Sequence, residues 1–178
     1  MPKRITLILP GFSNSGPEHW QSHWERIDPS CRRVEQADWE APRCADWVAT
    51  LDAAISSAPG PVVLVAPSDP EGPAYPTGPT GFAPMPLDRL PFRSIVVAST
   101  NDVYVTAEKA REYAAAWGSE LVDVGAAGHI NSASGLGDWP AGRVLLARLH
   151  ESPEELAAIQ VFASNSPSSR DATPPSPA

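Results

Sequence analysis

The amino-acid sequence predicts an α/β fold built on a mostly parallel sheet. Short apolar runs of strand length alternate with longer segments whose apolar residues repeat at helical spacing, the pattern of strands joined by crossover helices. The run Val62 to Ala66 is continuously apolar, as expected of a strand covered by helices on both faces. Two chemically versatile residues, Asp102 and His129, each follow directly after a strand-like run. In open α/β sheets that carboxyl edge is where functional groups gather.

The elements follow in order. Ile5 to Leu9 is the first strand, stopped by Pro10-Gly11. Ser13 to Pro17 is a loop, and Pro17 suits the first turn of a helix on which Trp20 and Trp24 share a face. Arg33 to Trp39 has the apolar spacing of a second strand. Cys44 to Ile55 carries a helical apolar stripe, ended by Pro59-Gly60. After the strand Val62 to Ala66, about two dozen residues from Pro67 to Pro91 show no periodicity, far beyond an ordinary loop. Ser94 to Ser99 is a strand. Thr106 caps a helix running to Trp117, with Gly118 past its end. Glu120 to Val124 is a strand, Gly125 to Trp139 a glycine-rich loop holding His129, and Gly142 to His150 a final helix. Residues 1–150 therefore form one domain. Residues 151–178 form a Pro/Ser-rich, largely disordered tail, in which Glu154 to Phe162 has helical composition.

Composition narrows the function. The chain has 178 residues, one domain's worth, and 42% of them are hydrophobic, enough for a core. Lys and Arg number 13 against 21 Asp and Glu, a net charge of 13 − 21 = −8. That sign repels phosphate backbones and anionic lipid heads, which argues against nucleic-acid and membrane-surface partners. Two cysteines, Cys31 and Cys44, make no disulfide framework. The apolar run behind the basic start ends at Leu9, too short for a secretory leader. These features predict a cytoplasmic protein.

The chemistry-bearing residues come next. Asp102 and His129 are 27 residues apart, room for one loop, one helix and one strand. Neighbouring strand ends bring their loops together, and a carboxylate there can hold an imidazole in one tautomer and stabilise its protonated form. Acid then histidine, each after a strand, is the order of the α/β-hydrolases. Leu9-Pro10-Gly11-Phe12 follows the first strand. It is either a source of an oxyanion donor, through Gly11 and the N–H of Phe12, or a plain Pro-Gly turn. His19 and His23 stand four apart, a spacing that can hold a metal. No Glu accompanies the first and no third ligand is evident, so both are expected to be half-buried neighbours of the Trp20/Trp24 stripe. No metal or cofactor is expected.

Several segments together resemble one family. Gly11-Phe12-Ser13-Asn14-Ser15-Gly16-Pro17-Glu18-His19-Trp20-Gln21 resembles the opening signature of the YdeN-like serine hydrolases, a group of α/β-hydrolases. Phe82-Ala83-Pro84-Met85-Pro86 is similar to the segment before their acid strand. Ser99 to Val105 is similar to their acid loop, and Gly128-His129-Ile130-Asn131 with Gly135 to Pro140 to their histidine loop. The resemblance spans roughly residues 3–150. It implies an α/β-hydrolase-type three-layer sandwich with a Ser–Asp–His triad acting on a small ester or amide. Asp102 is similar to the family acid, His129 to the base and Gly11-Phe12 to the oxyanion loop.

One departure is large. In the family, a strand like Val62 to Ala66 leads into a nucleophile elbow, a helix and a further strand. Here the chain passes straight to a segment like the one after that further strand, so one central βα unit is missing. Ser68 stands at the join and is the candidate nucleophile. Its neighbours Pro67 and Asp69-Pro70 replace the small residues an elbow needs, and Pro70 and Pro73 oppose a helix behind it. Losing a βα unit removes many buried contacts from a fold with only ~5–15 kcal/mol of net stability, so weak stability is expected. The alternative to a hydrolase is a catalytically inactive relic or binding protein.

Overall fold

The computed structural model describes residues 5–58, 62–65 and 69–150. Ser68 and the tail 151–178 lie outside the described residues. The elements are β1 (Ile5–Ile8), α1 (Trp20–Ile27), β2 (Cys31–Arg33), α2 (Cys44–Ser56), β3 (Val62–Val65), β4 (Ile95–Ala98), α3 (Ala107–Trp117), β5 (Glu120–Asp123) and α4 (Pro140–His150). A single 3₁₀ turn, Ser132–Ser134, lies between β5 and α4.

Among the described residues all strand pairs are parallel, and the strands form two sheets, β2-β1-β3 and β4-β5. Alternation along β1 divides the core. Ile8 faces α1 and α4 in a cluster with Trp20, Trp24, Trp139 and Leu146. Ile5 and Leu7 face the other way with Val34, against Leu51 and Ala54 of α2. Helices thus cover both faces, which is why β1 is apolar at nearly every position. Val97 of β4 packs against the same cluster as Ile8, so the two sheets share one helical layer. Asp69, four residues after β3, is bonded by Tyr113 of α3, and α3 packs on β4 and β5. β3 is therefore the edge that faces β4, yet no ladder joins them. Among the described residues the sheet is interrupted there, where the sequence reading finds a central strand missing.

Three elements differ from the sequence reading by two residues or more. The second strand is Cys31–Arg33, not Arg33 to Trp39. Pairing with Thr6, Leu7 and Ile8 fixes it there, and the Arg33 guanidinium, clamped by the Glu25 carboxylate at 2.5–2.9 Å, anchors the point where the chain leaves the sheet. The first helix begins at Trp20, because the His19 ring accepts the Gln21 N–H at 3.2 Å and caps it. The last helix begins at Pro140, two residues early, with proline in the first turn where its missing N–H costs nothing. Thr106 and Gly118 bound α3 as expected. The Thr106 hydroxyl accepts the Lys109 N–H, and Gly118 takes the left-handed conformation at φ 69°.

The proline-rich stretch after β3 is held by isolated anchors rather than regular structure. Thr80 bridges to the backbone on either side of Arg43. The Trp117 indole donates to Pro86 O at 2.8 Å, and Leu90 N–H to Trp117 O at 3.0 Å. Its first anchor is the Asp69 carboxylate, buried at 8% exposure, which accepts the Tyr113 hydroxyl at 2.9 Å and the Glu71 N–H at 3.0 Å.

Candidate active site

The ends of β4 and β5 bring Asp102 and His129 together. Asp102 lies in the turn after β4, where its Oδ1 accepts the N–H groups of Tyr104 at 2.8 Å and Val105 at 3.2 Å. Those bonds lock the carboxylate, whose side chain is only 9% exposed. His129 follows β5, and its Nδ1 stands 2.9 Å from Oδ2 and 3.1 Å from Oδ1. A carboxylate can only accept, so Nδ1 is the donor, and in the neutral ring Nε2 is the atom left to accept. The Tyr104 ring packs on the imidazole, with centroids 4.5 Å apart.

A buried polar clip sets this pair, and it escaped the sequence reading. The Ser99 hydroxyl, 2% exposed as a residue, donates to Asn101 Oδ1 at 2.9 Å and accepts the Ala127 N–H at 2.9 Å. Asn101 Oδ1 also accepts the Gly128 N–H at 2.7 Å. The acid loop thereby holds the histidine loop by its backbone. A Ser and an Asn beside an Asp look like ordinary turn formers in sequence, so no local signal marks them. Beyond His129, Ile130 adopts a positive φ of 52°, uncommon for a β-branched residue. The Trp20 indole donating to Ile130 O at 2.6 Å holds it there.

Gly11 follows β1 at the same edge and lines one cavity with Asp102 and His129. A Cβ on Gly11 would meet nothing within 4 Å, so packing does not demand glycine there. Gly11 O accepts the Asn14 N–H at 3.0 Å, and Leu9 O accepts the Gln21 amide at 3.4 Å. Among the described residues, no partner takes the N–H of Gly11 or Phe12. The Phe12 ring turns outward, toward Gly78.

His19 and His23 are not one site. The His23 Nδ1 pairs with Asp138 at 2.9 Å, whereas the His19 Nδ1 caps α1 and its ring lines the cavity. Burial, then the charge of Arg33, then His129 push the His19 imidazole down from 6.5 to about 4. It is neutral at pH 7, and with Nδ1 accepting, its proton sits on Nε2. The cavity measures about 390 Å³ and is mainly apolar, with Trp20, Trp24, Phe82 and Met85 among its walls.

Parallel strands sandwiched by helices, with chemistry collected at their carboxyl ends, define an α/β-hydrolase-type fold in which the described residues supply no strand between β3 and β4. Comparison with known proteins agrees. A family model for serine hydrolases matches residues 6–68 and 60–148. The crystal structure described as a YdeN-like hydrolase from Pectobacterium atrosepticum is similar at 31% identity and a TM-score of 0.71, covering 83% of this chain and 90% of that one. None of the curated proteins compared matches the chain. The chain belongs to the serine hydrolase family, and its similarity to YdeN-like members is the one its motifs suggested.

Proposed function

We propose that the chain is a hydrolase of small esters or amides in which Asp102 orients His129 and His129 activates Ser68. The observation that carries this reading is the Nδ1-to-carboxylate contact of 2.9 Å between two loops 27 residues apart. In the reaction, the Ser68 oxygen bonds to the substrate carbonyl carbon while His129 Nε2 takes the hydroxyl proton. The carbonyl π pair moves onto oxygen, where the open N–H groups of Gly11 and Phe12 are suited to receive it. Collapse breaks the bond to the leaving alkoxide or amine, which leaves with the proton from His129. Water repeats the sequence on the acyl-serine and frees the acid. The neutral Nε2–H of His19 is a further donor in the same cavity. Expression in the cytoplasm fits the acidic, cysteine-poor composition.

A fluorophosphonate probe tests the reading, because it forms a covalent bond only with an activated serine. The expected result is labelling of the full chain that is lost in Ser68→Ala and strongly slowed in His129→Ala. A second reading, a catalytically inactive relic or binding protein, is favoured by the interrupted sheet and the prolines around Ser68. Residues 60–68 both close the first family match and open the second, as when one strand stands where relatives carry two. Absence of labelling at any probe concentration would select that second reading.

A further inference from the structure

His19 sits between the two loops that bear the chemistry. Its neighbour Trp20 donates its indole N–H to Ile130 O, one residue past His129, at 2.6 Å. The next residue, Gln21, donates its side-chain amide to Leu9 O, two residues before Gly11, at 3.4 Å and accepts the Ser15 hydroxyl at 2.5 Å. The His19 N–H closes onto Gly16 O at 3.0 Å. The imidazole is therefore bracketed by the loop of His129 on one side and the loop after β1 on the other. It lines the cavity with Gly11, Asp102 and His129.

The ring is also fixed in orientation. Its Nδ1 accepts the Gln21 N–H at 3.2 Å, and it lies against Trp20 with centroids 5.5 Å apart. Capping alone does not call for an imidazole, since Ser, Thr, Asp and Asn are the residues that favour that position. What the imidazole adds is a second nitrogen. With Nδ1 accepting, the proton of the neutral ring is on Nε2, and among the described residues no acceptor takes it. Nor does a carboxylate of the described residues bond to this ring, as Asp102 does to His129, so His19 is built as a donor and not as a base. His23 has no share in this, because its Nδ1 turns to Asp138 at 2.9 Å.

We propose that the Nε2–H of His19 donates to the acyl carbonyl oxygen of the substrate and stabilises the negative charge that gathers there in the transition state. Its role presupposes the serine-hydrolase reading of the site. As the serine oxygen bonds to the carbonyl carbon, the π pair moves onto oxygen, and a preorganised N–H is worth more to that oxygen than to the ground-state carbonyl. The proton stays on Nε2 throughout. Neutrality suits the task. His129 must become a cation as it takes the serine proton, and a Lys or Arg in the place of His19 would oppose that charge. Burial, then the charges of Arg33 and His129, hold the His19 ring neutral. A neutral imidazole at a helix N-terminus polarises a carbonyl in the same way in other enzymes.

Steady-state kinetics on the full chain test this, with a small uncharged carboxylic ester and its thionoester as substrates. His19→Asn keeps an oxygen that can cap α1, but its side chain falls short of the Nε2 position. On the carboxylic ester kcat is expected to fall about a hundred-fold or more, the usual cost of one oxyanion donor, with KM little changed. On the thionoester, whose sulfur accepts hydrogen bonds weakly, the fall should be much smaller. An equal loss on both esters, or a loss confined to KM, would make His19 a cap alone and overturn the proposal. An unchanged kcat would overturn it too, while leaving the hydrolase reading standing. Nitrogen-15 spectra of the unsubstituted chain at pH 7 need no variant. They should show His19 as the Nε2–H tautomer, and the Nδ1–H tautomer or an imidazolium would overturn the assignment. A chain that neither reacts with the fluorophosphonate nor turns over the ester fails the hydrolase reading itself, and the donor role falls with it.

Discussion

Removing one oxygen, by Tyr113→Phe, probes the anchor of the long proline-rich stretch. Tyr113 is 1% exposed, and its hydroxyl reaches the 8%-exposed Asp69 carboxylate at 2.9 Å. The ring itself, stacked on Trp117 at 4.9 Å, is kept by the substitution. What is lost is a hydrogen bond to a charged acceptor, worth about 1.5–3 kcal/mol. Among the described residues the Asp69 carboxylate then retains only the Glu71 N–H, which places the cost toward the upper end. For a domain of this size each kcal/mol moves Tm by about 2–4 °C, so a fall of about 4–10 °C is expected. Urea unfolding followed by tryptophan fluorescence should show a lower midpoint at an unchanged slope. Burial, and then the bond to Asp69, push the phenol well above its ordinary range. The hydroxyl therefore stays a donor through neutral and mildly alkaline pH, and the difference between variants should not vary there. A loss under about 0.5 kcal/mol, the range of ordinary surface substitutions, would refute the assignment of Tyr113–Asp69 as the anchor. Because Asp69 directly follows Ser68, the same variant should also slow fluorophosphonate labelling.

Four further outcomes are expected. Asp102→Asn should leave the fold intact but cut ester turnover or probe labelling by about 10⁴-fold, because an amide stabilises the wrong imidazole tautomer. His19 titrates at about 4 folded against 6.5 unfolded. The unfolded chain then binds the extra proton in that window, so stability is full above pH 6.5 and falls toward pH 4. His19→Asn keeps a capping side chain and should flatten that limb in urea midpoints measured across pH. Gly142→Ala should destabilise by about 1–3 kcal/mol despite better helix propensity, since its Cβ would overlap the Trp139 ring; calorimetry reads the shift. Finally, the interrupted sheet predicts that calorimetry finds no cooperative transition above about 60 °C, the upper part of the mesophile range.

Asp102 and His129 were legible in the sequence because strand ends announce themselves through turn residues, and the chemistry of this fold class sits at those ends. The capping of α3 was legible for a similar reason, since Thr106 and Gly118 act through local geometry. Ser99 and Asn101 were not, because their role depends on the backbone of a loop almost thirty residues away. The spacing of His19 and His23 suggested a shared helical face, but His19 stands just outside the helix as its cap, so the two rings part. The strand at Cys31–Arg33 was misplaced because its register is set by β1 and by Glu25, not by its own apolar pattern. The missing unit was visible only through family resemblance. Its physical expression, a β4 edge that no strand of the described residues pairs, required the structure.

The interrupted sheet also divides the machinery. The Gly11 loop belongs to the β1 sheet, whereas Asp102 and His129 belong to β4 and β5. No ladder of the described residues sets the distance between these two halves. Among the contacts that span it are three indoles, Trp20, Trp24 and Trp139, with ring centroids 4.7–6.0 Å apart, and the N–H from Trp20 to the backbone beside His129. Acyl transfer tolerates misplacement of only about 0.5 Å between such groups. The aromatic cluster is therefore the calliper of this molecule, a set of greasy side chains holding a tolerance that hydrogen-bonded strands ordinarily hold.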